Sequence, residues 1–351
     1  MNKDFRQDFT NPVWAMIEKL SLKQGITEIV INSPQEIFIE KDGAFPQLDF
    51  QVTEKSIEDF IQEVSAYNRK DCDLNSPLFD GILPDGSRIN IVLDPVRREG
   101  PAITIRRFLK HVQTFDSKKG IFGLNPKWVH FLQSMVKAKF NILVSGGTGV
   151  GKTTFLNLLL QEIDPKDRII TIEDTRELNF VLPNVIRMET AKIGGRTITI
   201  RELVKNSLRM RPDRIIVGEV RGEEVFDLLQ AMNTGHDGCI ASVHANTPSD
   251  CLSRLESLYL LSGYNIPNDS LKKQMGNAID FIIQLHRNRA GVRVVSHITE
   301  VTEVSGSTIL MQNIGTLGKN LDYITSTGLV PKNIERFQKA GLHLDLFKDF
   351  F

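Results

Sequence analysis

The 351-residue sequence is poor in cysteine and has no net charge. Only three cysteines occur, Cys72, Cys239 and Cys251, and none forms a C-x-x-C pair, which argues against a disulfide framework and against a structural zinc site. Lys plus Arg and Asp plus Glu both number 43, so no overall positive field is available to hold a polyanion. We therefore expect a cytoplasmic protein without a nucleic-acid partner.

Long apolar stretches are missing as well. No segment approaches the roughly 20 apolar residues that cross a bilayer, and the opening "MNKDFRQDFTNPVW" has no apolar core of a signal peptide. We expect no direct membrane insertion, so that contact with a membrane would go through a partner. The chain is 41% hydrophobic and long enough for two domains, each with its own core.

The first third of the chain predicts a small α+β domain over residues 1–112. The apolar patterns predict helices over 12–22 and 56–67 and strands over 28–32, 36–40, 79–83, 89–93 and 102–106. The tetrapeptide "PDGS" at Pro84–Ser87 is a hairpin turn signal between two of these strands. The polar, glycine-containing stretch 113–123 is predicted to be a linker.

Beyond the linker, helix and strand patterns alternate, which predicts an α/β domain with a parallel sheet over residues 124–351. Helices are expected over 126–139, 152–163, 200–210 and 223–232, and strands over 140–144, 168–172, 214–217 and 239–243.

A glycine-rich loop joins the first of these strands to the helix that follows. "GGTGVGKT" satisfies G-x-x-x-x-G-K-[ST] in the strand–loop–helix context that gives this pattern its meaning. Its glycines let backbone N–H groups face phosphates, Lys152 supplies a charge to the β and γ groups, and the Thr153 hydroxyl is a ligand for Mg²⁺. The alternative is a simple glycine turn that caps a helix. The predicted nucleotide-binding residues are Gly146, Gly147, Thr148, Gly149, Val150, Gly151, Lys152, Thr153 and Thr154.

Three further predicted strands each end in a side chain that can bind a metal ion or transfer a proton. Glu173, Glu219 and His244 stand at their carboxyl ends, where ligands bind in open α/β sheets. Each glutamate alone could be a helix cap or an ordinary loop charge. Because both share an edge with a phosphate loop, we favour a role in holding Mg²⁺ or in activating water. His236 lies in the loop before the last strand. It either bonds a backbone carbonyl or belongs to the site.

Four motifs together resemble a known family. They are "NILVSGGTGVGKTTFLN", "IITIEDTREL", "LRMRPDRIIVGEVRG" and "MNTGHDGCIASVHAN". In this order they resemble the Walker A, Asp box, Walker B and histidine box of the secretion and pilus-assembly ATPases of type II and type IV systems, most closely the tight-adherence pilus branch. In this Walker B, glycine stands where most P-loop proteins carry the aspartate of the magnesium site.

The resemblance implies a RecA-like P-loop NTPase domain in a homo-hexamer that hydrolyses ATP with Mg²⁺ and works on an inner-membrane platform protein. It implies that Thr153 and Glu219 hold Mg²⁺ and that Glu173 activates water, with Glu219 as the alternative. His244, and also His236, would sense the γ-phosphate. Arg88 and Arg106, in "LPDGSRINIV" and "AITIRRF", match arginines that reach the nucleotide in relatives.

Two other function classes remain open at this point. A nucleic-acid translocase could use the same P-loop core, although the balanced charge and the aromatic content of 7% do not indicate a stacking platform for bases. A nucleotide-dependent scaffold without hydrolysis is the third class, and the acids at the strand ends argue against it.

Overall fold

Two compact units make up the protein, one within Met1–His111 and one within Val112–Phe351. The computed structural model describes residues 10–23, 25–41, 44–107, 114–117, 120–193, 196–263, 266–318 and 322–341. Each unit has a hydrophobic core of its own.

The first unit is the predicted α+β fold. Its elements are α1 (Pro12–Ser21), β1 (Ile26–Ser33), β2 (Glu36–Lys41), α2 (Glu54–Asn68), β3 (Leu78–Ile82), β4 (Arg88–Val92) and β5 (Ala102–Arg106). The five strands form an antiparallel sheet in the order β2-β1-β5-β4-β3. The predicted hairpin turn joins β3 to β4, where the Leu83 amide donates to the Ser87 carbonyl at 2.7 Å.

Period-two alternation positions this sheet. Ile89 and Ile91 on β4 and Ile103 and Ile105 on β5 are buried and share one core with both helices, while the residues between them face away from that core. Arg107 follows β5, and its guanidinium donates to four backbone carbonyls: those of Leu20 and Ser21 at the end of α1, of Lys23 just after it, and of Ile26 at the start of β1. This arginine therefore has a structural role, since it satisfies carbonyls that a helix end leaves unpaired.

The second unit is an α/β structure, as predicted. Its elements are α3 (Pro126–Lys137), β6 (Ile142–Gly146), α4 (Lys152–Leu160), β7 (Ile169–Glu173), β8 (Val185–Glu189), β9 (Ala191–Ile193), β10 (Arg196–Ile198), α5 (Ile200–Ser207), β11 (Arg214–Val220), α6 (Glu224–Asn233), β12 (Ile240–Val243), α7 (Pro248–Leu261), α8 (Asn268–Ala278), β13 (Phe281–Arg287), β14 (Arg293–Ser305), β15 (Thr308–Leu317), β16 (Ile324–Ser326) and α9 (Ile334–Lys339).

Nine of its strands form one mixed sheet in the order β16-β15-β14-β13-β6-β12-β11-β7-β8. The six strands from β13 to β8 are parallel to their neighbours, and β14 to β16 extend the sheet as antiparallel strands. The central strand β6 is buried along its whole length, as is typical of a parallel strand covered on both faces.

The segment 113–123 carries more than a linker's polar residues. Phe115 and Phe122 are buried, and their rings lie 6.4 and 5.1 Å from the ring of Phe155 on α4. Both belong to the core of the second unit. The two phenylalanines therefore attach the described part of this segment to α4 in the second unit. The polar residues around them hid this role in the sequence.

Candidate active site

Parallel strands bring the predicted residues to one edge of the nine-stranded sheet. The glycine-rich loop leaves the carboxyl end of β6, Glu173 ends β7, Glu219 lies near the end of β11, and His244 follows β12. Because β6, β7, β11 and β12 run parallel, their carboxyl ends share this edge. The edge therefore combines an anion-binding loop with two carboxylates and an imidazole.

Backbone geometry shapes the loop as a cradle. Gly149 and Gly151 have φ angles of 72° and 96°, in the left-handed region where other residues are strained, and α4 begins directly afterwards at Lys152. A Cβ on Gly146 would lie 2.6 Å from Cγ2 of Val150, so glycine is required there for close packing. The first N–H groups of α4 have no partners within the helix and are available to an anion.

Two cations border this cradle. The ammonium of Lys152 donates to the carbonyls of Gly146 and Gly147 at 2.9 and 3.0 Å, and burial lowers its pKa. Arg287, at the end of β13, donates from Nη2 to the carbonyl of Gly149 at 2.8 Å. Arg287 was not anticipated, because the strand that carries it was not predicted.

Glu173 is a buried carboxyl group with a strongly altered acidity. Its side chain is 3% exposed, and its Oε1 accepts hydrogen bonds from the amides of Glu177 and Leu178 at 2.8 and 2.9 Å. Burial raises its pKa to about 7, while the two amide bonds pull the pKa downward. A carboxyl group with a pKa near neutrality is suited to take up and release a proton at physiological pH.

A bulge in β11 sets the position of Glu219. Val217 and Val220 pair with Ala241 and Val243 of β12, so β11 has one more residue than β12 between these pairs. Bulges re-aim side chains next to active sites. Oε2 of Glu219 accepts a hydrogen bond from Nη2 of Arg221 at 2.6 Å, which makes this carboxylate half of an ion pair.

The two predicted histidines lie at different edges. His244 is exposed directly after β12, whose Val243 pairs with Ser145 at the start of the glycine-rich loop. His236 precedes β12, so it lies at the edge where the strands begin, away from the phosphate loop of this unit. Its amide donates to the carbonyl of Ala231, and its carbonyl accepts from Sγ of Cys239. Its grouping with the site is therefore not supported within the unit, because the four residues of β12 separate it from that edge.

Arg88 and Arg106 are neighbours in the first unit. They are register partners on β4 and β5. Both lie on the face of the sheet opposite to the buried Ile89 and Ile105. Arg106 is exposed and Arg88 is half-buried. Glu28 on β1 is the register partner of Arg106 on its other side.

Comparison with known proteins identifies the family. Residues 13–315 match the family described as Type II/IV secretion system protein. The conjugal transfer protein TrbB of Rhizobium radiobacter is 34% identical over 279 residues, covering 78% of this chain and 84% of TrbB. VirB11 of Agrobacterium fabrum is 31% identical over 287 residues, covering 73% and 83%. The chain belongs to the type II/IV secretion ATPase family.

A solved structure supports the fold of this ATPase. The pilus retraction motor PilT, crystallised with ADP, superposes with a TM-score of 0.59 at 20% sequence identity and covers 93% of this chain and 86% of PilT. The second unit is accordingly a RecA-like P-loop domain that follows a smaller N-terminal α+β domain. The fold class, the type II/IV secretion ATPase family and the ATPase activity predicted from the sequence are confirmed, while the tight-adherence branch stays a prediction.

The residues at the edge fit a nucleotide with Mg²⁺. Gly147 leaves open space, since a Cβ there would meet nothing closer than 4.0 Å. Among the described residues, no group of three or more His, Cys, Asp or Glu side chains could hold a metal ion by itself. Mg²⁺ is commonly bound by one or two protein ligands together with substrate phosphates and water. The hydroxyl of Thr153, the predicted ligand, donates to Oε2 of Glu177 at 3.1 Å.

Replacing Glu173 by Gln should make the free energy of unfolding of the second unit less dependent on pH. The folded-state pKa of about 7 lies above the ordinary 4.5, so between these values the native protein binds more protons than the unfolded chain and loses stability as the pH rises. This gap corresponds to about 3 kcal/mol. From pH 5 to pH 8, we expect the free energy of unfolding of Glu173→Gln to increase by up to this amount relative to the parent.

Urea unfolding followed by tryptophan fluorescence measures this difference. The chain has two tryptophans, so a Trp14→Phe background leaves only the buried Trp128 of the second unit as reporter. A difference between the two proteins that stays constant from pH 5 to pH 8 would contradict a raised pKa at Glu173.

Proposed function

We propose that this ATPase is a ring-forming, hexameric motor that hydrolyses ATP with Mg²⁺ to power pilus assembly or protein secretion. The observation that carries the proposal is the single sheet edge that combines the phosphate loop, the buried carboxyl group of Glu173 and the ion-paired carboxylate of Glu219. A carboxyl group with a pKa of about 7 at this edge of the sheet is suited to proton transfer, which supports hydrolysis over nucleotide binding alone.

Each side chain has a distinct part in hydrolysis. Lys152 and the loop amides bind the β and γ phosphates. Thr153 and Glu219 would hold Mg²⁺, which would neutralise charge on the phosphate oxygens. Glu173 accepts a proton from the attacking water, because its raised pKa matches the working pH. Glu219 is the less suitable base since its charge is engaged by Arg221. His244 contacts the γ-phosphate from the end of the neighbouring strand.

The work is passed to an inner-membrane platform protein, and the ring lies at the cytoplasmic face of that membrane. Within the described part of the chain, no helix has the length and apolar character to span a bilayer. The motif resemblance supports the tight-adherence pilus branch, and the family match and the VirB11 relative support secretion. A nucleic-acid translocase is not favoured, because the matching family is one of secretion systems.

Lys152→Ala tests the nucleotide site. Removing the ammonium should weaken ATP binding and lower turnover by roughly 10²-fold or more, the scale expected for a group that stabilises the transition state. Phosphate release and ATP titration measure these effects. The control is Lys166→Ala, which removes an exposed lysine before β7, at the opposite edge of the sheet. A folded Lys152→Ala protein with the turnover of this control would refute the proposal.

Arg88 and Arg106 are proposed to contact the γ-phosphate when the two domains close on ATP. A guanidinium is planar and permanently charged, so it can clamp phosphate oxygens with two parallel hydrogen bonds. Their shared position on adjacent strands supports a joint role. Hydrolysis would then remove the γ-phosphate that holds the domains together, and the domains would move apart. Arg107 is not a candidate, because its guanidinium is bound to the end of α1.

Arg88→Ala and Arg106→Ala should each lower turnover of the full-length protein by about 10³-fold or more, by analogy with arginine fingers. The compaction that a non-hydrolysable ATP analogue causes in small-angle scattering should disappear as well. Arg98→Ala, at an exposed position of the β4–β5 connection in the same domain, is the matched control. If both variants hydrolyse ATP and compact as this control does, the two arginines do not couple the domains.

A further inference from the structure

Strand β11 lacks a carboxylate at the place where P-loop proteins have one. In that class, the loop Ser or Thr and an aspartate from the neighbouring Walker B strand hold Mg²⁺. Here the strand carries Gly218, which has no side chain. We infer that Glu177, in the loop after β7, takes over this function and anchors Thr153 in the magnesium site. The inference deepens the proposed function and rests on it.

Glu173 explains why an aspartate is absent from β11. A Cβ on Gly218 would lie 3.0 Å from Cγ of Glu173, closer than side chains normally pack, and 3.5 Å from its Oε1, an ordinary contact distance. The buried side chain of Glu173 thus lies over the space into which residue 218 would project. The hydroxyl of Ser242 donates to the Gly218 carbonyl at 2.6 Å and fixes the strand there. Residue 218 therefore supplies no carboxylate to the metal site, and the carboxylate that contacts Thr153 belongs to Glu177.

Two contacts place the carboxylate of Glu177 beside Thr153. Its Oε2 accepts a hydrogen bond from the Thr153 hydroxyl at 3.1 Å, and its own amide donates to Oε1 of Glu173 at 2.8 Å. A hydroxyl that donates its proton still has lone pairs for a metal ion. Glu177 therefore orients the Thr153 hydroxyl so that its oxygen lone pairs are available to Mg²⁺. It would also place a negative charge in the outer shell of the ion.

Glu219 does not make Glu177 redundant. Glu219 is ion-paired with Arg221, which donates to it at 2.6 Å. Among the bonds of the Thr153 hydroxyl that the structure describes, the acceptor is Glu177. We assign Glu177 as a positioning residue that acts through Thr153. Glu219 keeps its separate role at the end of β11.

Glu177→Gln tests this assignment by metal binding to the ADP complex. The amide side chain keeps the shape and can still accept from Thr153, but it lacks the charge. ADP affinity in EDTA should equal that of the parent, and the affinity of the ADP-saturated protein for Mn²⁺, followed by electron paramagnetic resonance, should fall about 10-fold or more, as for loss of an outer-shell ligand. Thr153→Ala should show a similar loss, and the double variant should lose little more, because both residues act through one contact.

Glu189→Gln is the matched control. It removes one carboxylate from the same edge, where Glu189 is the register partner of Glu173 on β8, and it should leave Mn²⁺ affinity unchanged. A Glu177→Gln protein that binds Mn²⁺ as this control does, while Thr153→Ala does not, would overturn the inference and leave the nucleotide site intact. A parent protein that fails to bind ADP in EDTA would instead overturn the proposed function, and the inference with it.

Discussion

A pair of backbone amides holds the carboxyl group on which the arrangement of this site depends. Burying a carboxylate costs several kcal/mol unless hydrogen bonds replace its water. The amides of Glu177 and Leu178 supply two such bonds to Glu173, and a pKa of about 7 shows that they offset the cost only in part. The same bonds fix the loop after β7. As a result, Glu177 faces Thr153, and a side chain at position 218 would press against Glu173.

The sheet order explains which residues can act together. Strand β6 lies between β12 and β13, so His244 and Arg287 flank the phosphate loop from its two sides. Strands β11 and β7 follow beyond β12 and present Glu219 and Glu173. Direction along a strand matters as much as order: His236 and His244 belong to one sequence motif, yet β12 places them at opposite edges.

Local patterns predicted most of this architecture, and long-range contacts account for the rest. The glycine loop between a buried strand and a helix, and the acids after strands, were visible because they depend on residues near in sequence. Arg287 was missed because its strand follows a helix pair with no recognisable motif. Glu177 was missed because its contact with Thr153 joins two loops, and no spacing rule encodes such a contact. The burial of Phe122 in a polar segment was hidden for the same reason.

The identity of the base is the central claim, and turnover of Glu173→Gln measured beside Glu219→Gln tests it most directly. Both changes preserve shape and remove a charge. The account predicts that Glu173→Gln binds ATP as tightly as the parent and hydrolyses it roughly 10²-fold more slowly or worse. Normal turnover by Glu173→Gln together with an inactive Glu219→Gln would contradict it and make Glu219 the base.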